Sequence, residues 1–134
     1  MINKQSPNSN HQTISKFLIT KPKFDLEKRT LDFSMKVIMV CGKLVRNPVN
    51  DVLVRQLVRA AGSIGANYRE ANDVFSKKDF RYKIGISLME AKEAHYWLNL
   101  LREANINYKE IIWQLIGESC ELRKIFSSIV SKSY

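Results

Sequence analysis

Arg59, Ser63, Asn67 and Glu70 fall at i, i+4, i+8 and i+11, so a helix through them shows a cation, a hydroxyl, an amide and a carboxylate on one face. Those groups could serve acid–base or nucleophilic chemistry. Either one also requires a tuned base, an activated nucleophile or a metal close by. The chain supplies none of these beside them. His11 lies near the N-terminus, and His95 stands alone in a later helical segment. Glu90 and Glu93 precede His95 by five and two residues, spacings that do not bring all three to one helix face. No H-E-x-x-H, C-x-x-C, Walker or G-x-S-x-G pattern occurs. A di-metal bundle would need Glu-x-x-His pairs on two helices, and there are none. No enzymatic activity, metal or cofactor is therefore expected. Arg59, Ser63, Asn67 and Glu70 read instead as a structural polar seam, hydrogen-bonded within the fold to one another or to the third helix.

The residues between them say what the seam is for. Ala60, Ala61, Gly62, Gly65 and Ala66 are tiny, while Val54, Leu57, Val58, Ala61 and Ile64 line a neighbouring face. Gly62 and Gly65 each cost up to about 1 kcal/mol in a helix interior, and close approach of another helix is the compensation. Four helices are predicted around this stretch. The first spans Leu26 to Val45, with Phe33, Val37, Val40 and Leu44 as one apolar stripe and Leu31, Met35, Ile38 and Val45 as a second. Pro48 disfavours helix at Asn47 and ends it. The second helix starts with Asn50 or Asp51 as N-cap and runs to Ala71 or Asn72. Ser76 caps the third, with Asp79 three residues on, and this helix continues to Ala104. Asn105-Ile106-Asn107 turns the chain into a fourth helix from Tyr108 to Val130, whose stripe is Ile112, Leu115, Ser119, Leu122, Phe126 and Ile129. Long helices with short connections make an all-α, antiparallel up-down four-helix bundle over residues 24–134.

The third helix carries two apolar stripes stepping by four and three. Phe80, Ile84, Ser87, Ala91, Ala94, Leu98 and Leu101 suit the bundle core. Tyr82, Ile86, Met89, Tyr96 and Leu100, with Glu93 among them, suit an oligomer interface, because an isolated bundle needs only one stripe per helix. Cations lie between and before the stripes. From Lys77 to Lys83 the chain reads Lys-Lys-Asp-Phe-Arg-Tyr-Lys, four cations and one anion interleaved with two aromatics. Cations track phosphates, and aromatics can stack on bases. Phe80 belongs to the core stripe and is not expected to stack. Candidate nucleic-acid contacts are Lys77, Lys78, Arg81, Lys83 and Lys92, with Arg55 and Arg59 at their edge.

Composition fits this picture. The chain has 134 residues, 45% of them hydrophobic, enough for one domain with one core. Its net charge of +9 suits a polyanionic partner: nucleic acid, an acidic protein or anionic lipid. No apolar run is long enough to span a bilayer, and no signal peptide is evident. A cytoplasmic location is expected, with Cys41 and Cys120 as separate buried thiols. Residues 1–23 read as a flexible, polar, basic tail: six cations face two acids in the first 30 residues.

Arg59-Ala-Ala-Gly-Ser63-Ile-Gly-Ala-Asn67-Tyr-Arg-Glu70-Ala71 resembles the R-x-A-x-S-I-x-A-N-x-x-E-(G/A) segment of the bacterial four-helix proteins encoded in 23S rRNA intervening sequences. Ser76-Lys-Lys-Asp-Phe80 resembles that family's S-x-K-(D/E)-F. Lys83-Ile-Gly-Ile-Ser-Leu-Met-Glu90-Ala-Lys-Glu93-Ala-His-Tyr-Trp97-Leu-Asn-Leu-Leu101 resembles its K-I-x-I-A-x-x-E-A-x-E-x-x-Y-W-L-x-L-L run. Ser87 replaces a usual Ala, and Ala71 a frequent Gly. The likeness covers Phe24 to about Val130, with the last helix matched only by its apolar pattern. It implies an antiparallel bundle that assembles as a homopentamer. A related member is the accessory variability protein of diversity-generating retroelements, which works with a reverse transcriptase and nucleic acid.

The expected function is a non-enzymatic oligomeric bundle that binds RNA, ribosomal RNA included, through its basic surface. The alternative is a protein-binding scaffold or accessory subunit, for instance for a reverse transcriptase or a ribosomal component.

Overall fold

The computed structural model describes residues 25–133, and the expected tail, residues 1–23, lies outside them. Four α-helices account for nearly all of the described chain: α1 (Leu26–Cys41), α2 (Pro48–Ala71), α3 (Lys77–Ala104) and α4 (Lys109–Lys132), the last preceded by a 3-10 turn at Ile106–Tyr108. There is no strand among the described residues. Each helix packs on the next, and α4 returns to α1. This is the four-helix bundle expected.

The helix ends follow capping chemistry, with two departures from the sequence reading. Asp25 caps α1 by accepting from the Lys28 N–H at 3.2 Å, and Ser76 caps α3 by accepting from the Asp79 N–H at 3.0 Å. α1 stops at Cys41 rather than Val45. The Lys43 and Leu44 N–H groups reach back three residues instead of four, at 3.0 and 3.2 Å, and turn the chain out of the helix. Leu44 remains buried from that turn. α2 begins at Pro48, and its cap is Asn47 rather than Asn50 or Asp51. Proline at the first helical position loses no bond, because that N–H has no intrahelical partner. The extended backbone that Pro48 favours at Asn47 is also what an N-cap needs, and the Asn47 side chain accepts from the Asn50 N–H at 2.8 Å.

Asn50 is thereby free for another task. Buried at 2% exposure, it donates through Nδ2 to the Val45 carbonyl at 2.8 Å and to Asn105 Oδ1 at 2.9 Å. Asn105 Nδ2 returns a bond to Asn50 Oδ1 at 2.9 Å. This exchange ties the α1–α2 loop to the α3–α4 turn at one end of the bundle.

The core is built where the stripes predicted it, from Phe33 and Val37 of α1, Leu57 and Ile64 of α2, Ile84 and Leu98 of α3, and Leu122 and Phe126 of α4. Small residues fill the α2–α3 contact: Ala60, Ala61, Ser87, Ala91 and Ala94 are all fully buried. Ser87 Oγ donates to the Ile64 carbonyl at 2.9 Å across it, which fixes the antiparallel register and satisfies the buried hydroxyl. On its other side α2 meets α1, where Gly65 faces Thr30. The α1–α4 flank is looser. Arg29 forks onto Glu118 there at 2.7 and 2.9 Å, beside a groove lined by Phe33, Met39, Val40, Ile111 and Leu115.

The two glycines of α2 predict opposite mutant effects. A Cβ at Gly65 would lie 2.8 Å from Thr30 Oγ1, a buried group held by its bond to the Leu26 carbonyl at 2.6 Å. Gly65→Ala should therefore lose about 1–3 kcal/mol to overpacking, more than the helical gain returns. At Gly62 the nearest atom is Ser34 Oγ at 3.9 Å, so Gly62→Ala should stabilise by about 0.5–1 kcal/mol. Urea midpoints that shift in the same direction for both variants would contradict this packing.

Candidate nucleic-acid interface

Seven cations are candidates from the sequence, and the fold sorts them into two groups. Arg59 projects from α2 onto α3, where it bonds Glu93 at 2.7 Å and Glu90 at 3.3 Å. Trp97 Nε1 donates to the same Glu93 carboxylate at 3.1 Å. The bond from Arg59, then that from Trp97, holds the Glu93 carboxyl below its usual range. At the other end of the seam, about three turns along α2, Lys83 of α3 pairs with Glu70 of α2 at 2.6 Å. Arg81 donates to the Ser133 carbonyl at 3.0 Å, tying α3 to the end of α4. These three cations serve contacts between helices.

Lys77, Lys78, Lys92 and Arg55 are exposed and form no ion pair among the described residues. Lys77 and Lys78 sit at the start of α3, where a cation gains nothing from the helix dipole. Lys92 lies further along α3, toward α4. Phe80 packs partly buried against the core.

Of the polar seam, Arg59 and Glu70 reach across to α3, while Asn67 Nδ2 donates back to the Ser63 carbonyl at 2.9 Å. The polar positions of the two longer resembling segments therefore meet: Arg59 with Glu90 and Glu93, Glu70 with Lys83. They clasp α2 to α3 and do not surround a cavity. Among the described residues, no group of three or more His, Cys, Asp or Glu gathers to hold a metal. Both cysteines are free, and burial pushes the Cys41 thiol up to about 11. His95 is pushed down, first by burial and then by the Arg123 charge facing it from α4.

The outer stripe of α3 lies on the face away from the core. Tyr82, Met89 and Tyr96 are 67%, 68% and 58% exposed, Leu100 is 38% exposed, and Ile86 is half-buried at the margin. A Cβ at Gly85, on this face, would meet nothing within 4 Å. Leu31, Met35 and Ile38 of α1 form a second exposed apolar face.

The sequence reading missed a third cationic element. Arg123 and Lys124 of α4 lie beside Lys92 and line a groove with Ser127, Ser128 and Ser131. Its signal in the sequence is polar residues at i, i+1, i+4, i+5 and i+8 beside the apolar stripe of α4.

Residues 23–128 match the family model of the 23S rRNA-intervening sequence protein. The chain is also similar to a protein of unknown function from the S23 ribosomal protein family of Bacteroides thetaiotaomicron VPI-5482, solved by crystallography at 1.70 Å. The two share 34% identity and superpose with a TM-score of 0.71, covering 78% of this chain and 96% of the other. None of the curated proteins matches the chain.

The clasp should be pH-sensitive. A carboxyl held below the ordinary value of 4.5 stabilises the fold above that pH, and the contribution is lost as pH falls through the lower folded value. Arg59→Gln should cost about 0.2–1 kcal/mol at pH 7, as solvent-screened pairs do. Its Tm deficit should shrink as pH falls through the folded value of the Glu93 carboxyl. A deficit unchanged on acidification would show that Arg59 acts through packing instead.

Proposed function

The chain belongs to the 23S rRNA-intervening sequence protein family, and from that premise we propose that it is a non-enzymatic, self-associating helical bundle that binds RNA through its basic surface in the cytoplasm. The observation that carries this reading is the set of exposed cations without acidic partners, Lys77, Lys78 and Lys92, on a chain of net charge +9. Unpaired cations keep their full field and can displace the counterions of a phosphate backbone. Arg59 and Lys83 leave the list of contacts, because neighbouring carboxylates cancel much of their charge.

Self-association rests on the two apolar faces. Exposed aromatics and Met along one side of α3 need cover in water, and Gly85 leaves room for a close helix. The α1 face, Leu31, Met35 and Ile38, is unlike the α3 face, so a contact between one subunit's α1 and another's α3 is heterologous. Contacts of that kind make a ring when the rotation between subunits closes, and an open filament when it does not. A pentamer is the ring that the family resemblance suggests.

Binding to ribosomal RNA fragments should weaken by about a thousandfold between 50 and 200 mM salt if about six phosphates are contacted. A flat salt dependence, or no binding at low salt, would refute RNA as the partner and favour a protein scaffold. Ile86→Lys should reduce the mass measured by light scattering to that of one chain while the circular dichroism stays helical. A wild-type protein already monomeric at micromolar concentration would refute the assembly.

A further inference from the structure

We infer that the groove between α3 and α4 is a track for the sugar–phosphate backbone of RNA. This deepens the RNA-binding reading and rests on it. Lys92 comes from α3, and Arg123, Lys124, Ser127, Ser128 and Ser131 come from successive turns of α4. Leu88 and Cys120 complete the lining, and no carboxylate takes part in it. Among the described residues Lys92 and Arg123 form no ion pair. Lys124 has a loose one to Glu121 at 3.6 Å, with both side chains more than half exposed, and such pairs contribute little.

The order of groups along the groove fits a phosphate chain. Cations lie at one end and hydroxyl donors continue the line toward the other. Arg presents a planar fork to phosphate oxygens, Lys a point charge, and serine hydroxyls donate to phosphate as well. From Cys120 to Ser131 the strip runs about 16 Å at the helical rise, long enough to meet more than one phosphate of a single strand.

The same lining argues against a protein occupant. Protein partners are anchored by apolar or aromatic side chains seated in pockets, and this groove offers only Leu88 and Cys120 as apolar surface. It has no aromatic ring on which a base could stack and no amide to read a base edge. The track is therefore indifferent to sequence, and any preference for a particular RNA must come from its shape.

The test is fluorescence anisotropy of labelled poly(U), poly(A) and a ribosomal RNA hairpin, titrated with the full chain across a salt series. Arg123→Gln/Lys124→Gln should weaken poly(U) binding by about tenfold or more and flatten the plot of log affinity against log salt by about 1.4, or about 0.7 for each lost contact to a single strand. Ser128→Asp, which adds a negative charge at an exposed site, should also weaken it. Lys77→Gln/Lys78→Gln should leave the groove contribution in place, so that adding Arg123→Gln/Lys124→Gln to it costs the same factor again. Poly(U) and poly(A) should bind within about threefold of each other. Wild-type binding that the groove variants match would overturn the track and leave the RNA-binding reading standing. No RNA binding by the wild type would overturn both. Groove variants that lose binding to polyglutamate while RNA never binds would assign the groove to an acidic protein partner instead.

Discussion

The α2–α3 contact is the constraint on which the rest of the molecule depends. Two helices can lie this close only if nothing larger than a methyl or a hydroxyl stands between them, and Ala60, Ala61, Ser87, Ala91 and Ala94 meet that condition, all fully buried. Close approach brings the backbone of α2 within reach of Ser87, whose bond to the Ile64 carbonyl sets the axial register. Once that register is set, Arg59 must face Glu90 and Glu93, and Glu70 must face Lys83. α1 and α4 then complete the core from outside, with Thr30 against Gly65 on one side and the Tyr68 ring edge-on to Phe126, centroids 5.8 Å apart, on the other.

That register also divides the charge. A chain with 22 cations and 13 acids keeps a large positive surplus, but its distribution is a tertiary matter. Acids on α2 and α3 are placed where they hold Arg59 and Lys83, and Glu118 holds Arg29 on the opposite flank. Part of the surplus is left at the start of α3 and along the α3–α4 groove. A basic surface arises there because the carboxylates face elsewhere, as much as because lysines and arginines are present.

Much of the fold was legible in the sequence because helix formation is local. The stripe through Ile84, Ser87, Ala91, Ala94 and Leu98 is buried as its spacing implied, and Ser76 caps α3. Pro48 is ambiguous in the sequence because one residue favours two outcomes: it blocks helix before it and is welcome at the first position of a helix after it. Val45 looked helical by spacing alone, yet the chain needs those residues to turn. Asn50 looked like a cap, and only its proximity to Asn105 shows it as a fastener between two loops. Of the candidate interface, Lys77, Lys78 and Lys92 could be listed from the sequence, whereas Arg123 and Lys124 were hidden behind the apolar stripe of their own helix.

The sequence by itself determined the helices, their apolar faces, the small-residue seam, the family and the sign of the net charge. Each of these follows from residue type and from spacings within a few turns. The tertiary structure decided which cations remain open to a partner. Arg59 and Lys77 are alike as residues on exposed helix positions, and they differ because Glu93 lies 34 positions away along the chain and 2.7 Å away in space for one of them. A pairing of that kind depends on how far two helices slide past each other, and the spacing within either helix carries no record of that displacement.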